Sequence, residues 1–102
     1  MSTAITSKEL KDTLAKNNNV RVIDVRRKAD FDKSPETIAG AVWHDPEKVS
    51  EWSKTLAKDQ EVVVYCVRGG SVSQGVATTL EASHPKVQFL EGGLAGWEGP
   101  QK

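Results

Sequence analysis

The chain has a single cysteine, Cys66, and the five residues after it, Val67, Arg68, Gly69, Gly70 and Ser71, are of types suited to hold an anion. A tight loop between a strand and a helix turns its backbone N–H groups inward and makes a concave anion nest. The helix that follows adds the positive end of its dipole. Gly69 and Gly70 suit such a loop because glycine takes positive φ freely and lets backbone approach a ligand closely. Arg68 supplies a permanent cation. The field that holds an oxyanion also favours S⁻ over SH, and helix N-termini lower cysteine pKa to roughly 3.5–7.5. A lone cysteine after an apolar strand is usually an inert buried thiol. Here the glycine pair, the internal arginine and the helix start point instead to a reactive thiolate at Cys66.

Such a loop needs a strand before it and a helix behind it. Residues 61–66 (EVVVYC) hold four consecutive apolar side chains without alternation, the pattern of a central parallel strand covered on both faces. Residues 71–83 read as a helix whose one ordinary charge is Glu81, so much of its surface is expected against the sheet. Gly75 within it is expected to permit a close approach. Upstream, Thr6 and Glu9 have capping-box spacing, with Ile5 and Leu10 as a hydrophobic staple and Leu10 and Leu14 as the buried stripe. Asn17, Asn18 and Asn19 stop that helix. Residues 20–25 form a β-branched strand, 28–33 a short helix ended by Ser34-Pro35, and 41–43 a brief strand. Asp45-Pro46 reads as N-cap and first-turn proline of a helix burying Val49, Trp52 and Leu56. His84-Pro85 ends the long helix, 86–90 is the last strand, and 92–97 is a glycine-rich turn into a short helix. Alternating strands and helices mean a layered α/β domain with a mostly parallel sheet.

Composition bounds what such a domain can be. Of 102 residues, 23 are Val, Ile, Leu or Phe, enough for one modest core, and residues 1–102 are expected to form one domain. Fourteen basic residues balance fourteen acidic ones, which leaves no footprint for nucleic acid. The most basic cluster, Arg26-Arg27-Lys28, is followed by Asp30 and Asp32 and reads as a solvated turn. No apolar run approaches the length of a membrane span or a signal peptide, so the expected location is the cytoplasm. One cysteine excludes an internal disulfide and, with two histidines lacking ligand spacing, makes zinc binding unexpected.

Taken together, these residues resemble the single-domain rhodanese (sulfurtransferase) family across nearly the whole chain. Val22-Ile23-Asp24-Val25-Arg26, then Phe31, then Ile38-Ala39-Gly40-Ala41 are similar to the family's strand, Asp-Val-Arg, aromatic and Ile-Pro-Gly-Ala pattern, with Ala39 in place of proline. Cys66 and its loop resemble the strand and active-site loop. Residues 90–97 (LEGGLAGW) resemble the closing Leu-x-Gly-Gly…Trp motif. The resemblance implies a rhodanese-like three-layer domain, with a mainly parallel five-stranded sheet flanked by helices. It also implies a two-step reaction. Cys66 attacks the outer sulfur of thiosulfate or a persulfide donor, becomes a persulfide, and passes that sulfur to cyanide or a thiol. The amides of Val67, Arg68, Gly69, Gly70 and Ser71 would stabilise the persulfide anion, and no cofactor or metal is required.

The chain departs from the family at Ser71, where many members carry arginine. Ser71 is expected to cap the helix and donate a hydroxyl, and Arg68 to hold the donor's anionic end. The loop also lacks the Cys-Gly-Ser/Thr-Gly-Val-Thr pattern of mercaptopyruvate enzymes. Asp24 and Arg26 either line the pocket or, the preferred reading, pair with backbone and charges to fix the surrounding loops. Trp43 and Trp97 read as core or pocket wall, and His44-Asp45 as helix entry rather than an acid–base pair. Two other functions use the same cysteine: a persulfide carrier serving a sulfur-relay protein, and a cysteine phosphatase. The phosphatase needs an arginine six residues after cysteine, where this chain has Val72.

Overall fold

The computed structural model describes residues 3–16, 19–38, 40–68 and 70–97; Asn17, Asn18, Ala39 and Gly69 therefore lie outside the described residues. Five strands, β1 (Thr3–Ile5), β2 (Arg21–Asp24), β3 (Val42–Trp43), β4 (Val62–Tyr65) and β5 (Val87–Leu90), form one sheet in the order β1-β5-β4-β2-β3. Every pairing is parallel, with Ile23 and Phe89 flanking Val64 from opposite sides. All four residues of β4 are buried, as a central strand with both faces covered requires.

Because side chains alternate along a strand, β4 serves two cores. Val62 and Val64 pack with Ile23, Val76, Ala77 and Leu80 on one face. Val63 and Tyr65 pack with Leu10, Val22, Leu90 and Trp97 on the other. The sheet is thus the middle of three layers.

The helices follow their local chemistry. In α1 (Ser7–Lys16) the capping box is reciprocal: the Glu9 amide donates to Thr6 Oγ1 at 3.1 Å and the Thr6 amide to Glu9 Oε1 at 3.0 Å. These bonds hold the exposed Glu9 carboxyl below its usual range. Ile5 ends β1 as well as preceding the cap. This strand, pairing Ala4 with Phe89, was not among the elements read from the residues. Helix α2 (Lys28–Lys33) forms as expected.

The helix expected from Asp45 onward is instead three short pieces: a 3-10 turn at Pro46–Lys48, α3 (Val49–Trp52) and a second 3-10 turn at Ser53–Thr55. Asp45 Oδ1 caps it by accepting the Glu47 amide at 2.9 Å, while the Trp52 indole donates to the Asp45 carbonyl at 2.7 Å. Trp52 and Leu56 are buried as the apolar spacing requires.

Helix α4 (Ser71–Glu81) buries one stripe, Ser73, Val76, Ala77 and Leu80, rather than most of its surface. Thr78 and Thr79 donate to the carbonyls one turn back, at 2.9 and 3.0 Å, which lets an almost uncharged helix face solvent. Gly75 is exposed, and a Cβ there would meet no atom within 4 Å, so the expected close approach is absent. His84 does end this segment. It is also buried, its Nε2 lying 3.1 Å from the Leu56 carbonyl and its Nδ1 2.8 Å from Ser83 Oγ.

The connections set the site. From β2 the chain moves to β3 on one side of β4, and from β4 it moves to β5 on the other. Strand order therefore diverges at the carboxyl ends of β2 and β4, where open α/β sheets collect ligands. Among the described residues no helix is long and apolar enough to cross a membrane.

Candidate active site

Cys66 follows β4 directly and is 6 % exposed, at the floor of a cleft of about 350 Å³. Arg26, Arg27, Arg68, Gly70 and Ser71 line that cleft, together with Asp30, Val67 and Val72. Burial alone pushes the Cys66 thiol up. The Ser73 hydroxyl and the amides of Ser73, Arg68 and Gly70, all directed at the sulfur, outweigh burial and hold it below the ordinary 9.0. Ser73 Oγ lies 3.2 Å from Sγ and 3.4 Å from the Gly70 carbonyl. Its one proton serves the carbonyl while sulfur is a thiol, and turns to the sulfur once it is a thiolate.

The start of the loop is fixed from outside: the Val67 carbonyl, which shares its peptide plane with the Arg68 N–H, and the Cys66 carbonyl are both held elsewhere. Leu94 N–H donates to the Cys66 carbonyl at 2.8 Å and Ala95 N–H to the Val67 carbonyl at 2.9 Å. Both donors belong to the turn around the 3-10 segment Leu94–Gly96, entered through Gly92 (φ 81°) and Gly93 (φ 58°, ψ −157°). The latter conformation is open essentially only to glycine. The glycines of the closing segment thus shape the backbone that anchors the cysteine loop from outside.

Two expectations for the loop change. Gly70 has φ −87° and is itself the N-cap of α4, so Ser71 takes the first helical position instead of capping. A Cβ at Gly70 would meet no protein atom within 4 Å, so this glycine leaves space at the cleft rather than serving a positive φ. Gly69, expected in the substrate-binding loop, lies outside the described residues. Arg68 is exposed, and its guanidinium makes no hydrogen bond or ion pair among the described residues.

Asp24 and Arg26 lie side by side at the end of β2, paired with each other and with backbone. They form a buried ion pair at 2.7 Å, with Arg26 Nε donating to both Asp24 oxygens at 3.0 and 2.9 Å. The other guanidinium nitrogens donate to the carbonyls of Ser34 and Glu36, at 2.8 and 3.0 Å, which fixes the segment after α2. Arg26 also forms part of the cleft wall, while Asp24 is wholly buried behind it. The Tyr65 hydroxyl accepts the Ile38 amide at 3.1 Å; burial is the main reason its pKa is raised. Trp43 donates to the Arg26 carbonyl at 2.8 Å and stacks on Phe31 at 5.0 Å. His44 stacks on Trp52 at 4.9 Å, and partial burial followed by the Arg21 charge pushes its pKa down. With Asp45 used as a cap, His44-Asp45 is helix entry.

The reading from residues missed Ser73 and Arg27. The signal for Ser73 was available. It heads the spacing 73, 76, 77, 80, so a serine stands first on the inward face, one turn from the cysteine loop. Arg27 gave no such signal, because a basic turn residue looks the same whether it borders water or a cleft.

Comparison with known proteins now decides the family. A model of the rhodanese-like domain matches residues 6–100. The chain belongs to the rhodanese family. This rhodanese is 28% identical over 99 residues to a sulfurtransferase of Allochromatium vinosum, covering 95% of this chain and 89% of that one. It is 35% identical over 86 residues to the thiosulfate sulfurtransferase GlpE of Coxiella burnetii, covering 83% and 78%. The rhodanese-like domain of an Anabaena protein superposes with a TM-score of 0.85 at 26% identity, over 100% of this chain and 80% of that one. Membership places the chain in an enzyme superfamily that includes sulfurtransferases.

Proposed function

We propose that this rhodanese is a sulfurtransferase moving a sulfane sulfur from thiosulfate or a related persulfide donor to cyanide or a thiol. The observation that carries the reading is a thiol held below its ordinary pKa at the floor of an arginine-lined cleft. The Cys66 thiolate bonds to the outer sulfur of thiosulfate; the donor's S–S bond breaks and its electron pair leaves with sulfite. The resulting Cys66–S–S⁻ keeps its negative charge among the amides that first held the thiolate, so fixed dipoles need little rearrangement between the two states. Arg68 binds the donor's sulfonate end, and Ser71, at the cleft rim, offers a hydroxyl. Arg26 is spent on Asp24 and two carbonyls, so its role is to hold the wall. The sulfurtransferase names of the relatives support the same class. Val72 stands in the cleft lining where a phosphatase would need its arginine, so aryl phosphate turnover is not expected.

The test is intact-mass measurement after brief exposure to thiosulfate. One sulfur atom should be gained on Cys66, lost on adding cyanide, and absent in Cys66→Ser. Loading by an organic persulfide but not by thiosulfate would change the donor and keep the class. Loading by neither would end the proposal.

A further inference from the structure

Ser73 meets the sulfur from within the protein rather than from the cleft. It is wholly buried and does not line the space in front of Cys66, yet its Oγ lies 3.2 Å from Sγ. Arg68 and Gly70, whose amides also reach the sulfur, do line that space. The contacts of Cys66 therefore divide into a set that borders the cleft and a set behind it. A second sulfur carried by Cys66 needs room, and the cleft supplies it. The amides of Arg68 and Gly70 can follow a charge that moves outward; the Ser73 hydroxyl cannot.

That hydroxyl has one proton and two acceptors within reach, Sγ and the Gly70 carbonyl at 3.4 Å. While Cys66 is a thiol, its S–H donates to Oγ and the hydroxyl donates to the carbonyl. In the thiolate the charge sits on Sγ, and a charge-assisted bond is roughly twice as strong as a neutral one, so the proton turns to sulfur. In the persulfide the charge lies one bond further out, and Sγ is left a neutral sulfur, a weak acceptor. The hydroxyl then returns to the carbonyl. Of the three states, only the thiolate draws on it.

We infer that Ser73 is a catalytic residue of the unloading half of the cycle, its hydroxyl stabilising Sγ as the leaving group and tilting the protein toward its sulfur-free state. The inference rests on the sulfurtransferase reading. With cyanide as acceptor, the cyanide carbon bonds to the outer sulfur of Cys66–S–S⁻. The persulfide S–S bond breaks, its electron pair goes to Sγ, and thiocyanate departs. A leaving thiolate that is better stabilised leaves faster. Loading runs the other way, because the hydroxyl must give up its bond as charge moves off Sγ. The amides serve both states, while Ser73 serves one, so the site favours passing sulfur on over storing it.

The experiment equilibrates the parent protein and Ser73→Ala with fixed ratios of thiosulfate to sulfite across a pH series and reads the loaded fraction by intact mass. In the variant the Gly70 carbonyl keeps the Gln74 amide at 3.2 Å, so the loss is confined to one hydroxyl. The charged groups of the cleft, Arg26, Arg27, Asp30 and Arg68, and Asp24 behind them are common to both proteins, as is the titration of sulfite. Where Cys66 is ionised in both, the variant should favour the loaded state about tenfold more than the parent. Where Cys66 is a thiol in both, the two should agree within about twofold, because the hydroxyl then serves the carbonyl before and after loading. A packing defect would shift the equilibrium alike at every pH. Single-turnover cyanolysis of loaded protein should be about threefold slower in the variant throughout. A variant-to-parent ratio that stays flat with pH, or cyanolysis at the parent rate, would overturn the proposal and leave the sulfurtransferase reading intact. If neither thiosulfate nor an organic persulfide loads the parent protein, that reading fails and takes this proposal with it.

Discussion

At Cys66 two opposing effects act on one sulfur atom. Burial disfavours the charged sulfur, and three amides with one hydroxyl favour it by more. The amides are held by the fold, so the hydroxyl of Ser73 is the component a single substitution can remove. Ser73→Ala should raise the Cys66 pKa and slow thiosulfate loading several-fold at neutral pH. Loss of one hydrogen bond should cost about 1 kcal/mol of stability. Alkylation by iodoacetamide across a pH series reads this directly. In the parent protein the rate should climb with pH through a midpoint below 9.0, and in the variant that midpoint should move toward the ordinary thiol value. An unmoved midpoint would leave the amides as sole cause. The cysteine, its loop and Arg68 were legible in the residues because strand, glycine pair and helix start lie together in the chain. Ser73 was not, since its role comes from a helical face rather than from adjacency.

Among the elements, the closing turn has the clearest separable task. Gly92 and Gly93 bend the chain after β5 so that the next amides meet the Cys66 and Val67 carbonyls. Gly93→Ala forces a Cβ into a region suited to glycine and should cost about 1–3 kcal/mol. It should lower sulfur loading beyond what the unfolded fraction explains, because the amides of the loop lose their outside anchor. Urea unfolding together with the loading rate separates the two effects. Wild-type loading in a destabilised but folded variant would remove the turn from the site. Local signals located most elements well: the Thr6–Glu9 box, the Asp45-Pro46 cap and the β-branched runs all lie where their chemistry puts them. They failed where tertiary contacts decide. Thr3–Ile5 is too short to show periodicity and becomes a strand only against β5. The stretch after Asp45 breaks into 3-10 turns while Trp52 reaches back to the Asp45 carbonyl. On α4, threonine hydroxyls bonding to the helix backbone give solvent exposure without charge, so low charge overstated burial.

For the molecule as a whole, the sheet places its cysteine at the carboxyl end of its central strand and a buried charge pair beside it. Asp24 ends β2 in register with Tyr65 of β4, and through Arg26 it holds the carbonyls of Ser34 and Glu36. Asp24→Ala would leave the guanidinium buried without a counter-charge, and breaking such a pair costs about 3–5 kcal/mol. Denaturant unfolding should show a large drop in midpoint. A change of only a few tenths of a kcal/mol would mean that water reaches Arg26 and that the pair is not structural. Family-level likeness made the layered architecture legible from motifs alone. The wholly parallel pairing among the described strands goes further than the mainly parallel sheet expected.

The two carbonyls pinned from the far end of the chain carry one more consequence. A copy still unfolded, or one whose final turn has come loose, bears a sulfhydryl of everyday acidity. On the proposed sulfurtransferase reading, activated sulfur then forms only on molecules in which residues 92–96 have docked against the cysteine loop, so damaged ones would stand idle rather than scatter it onto the wrong recipients.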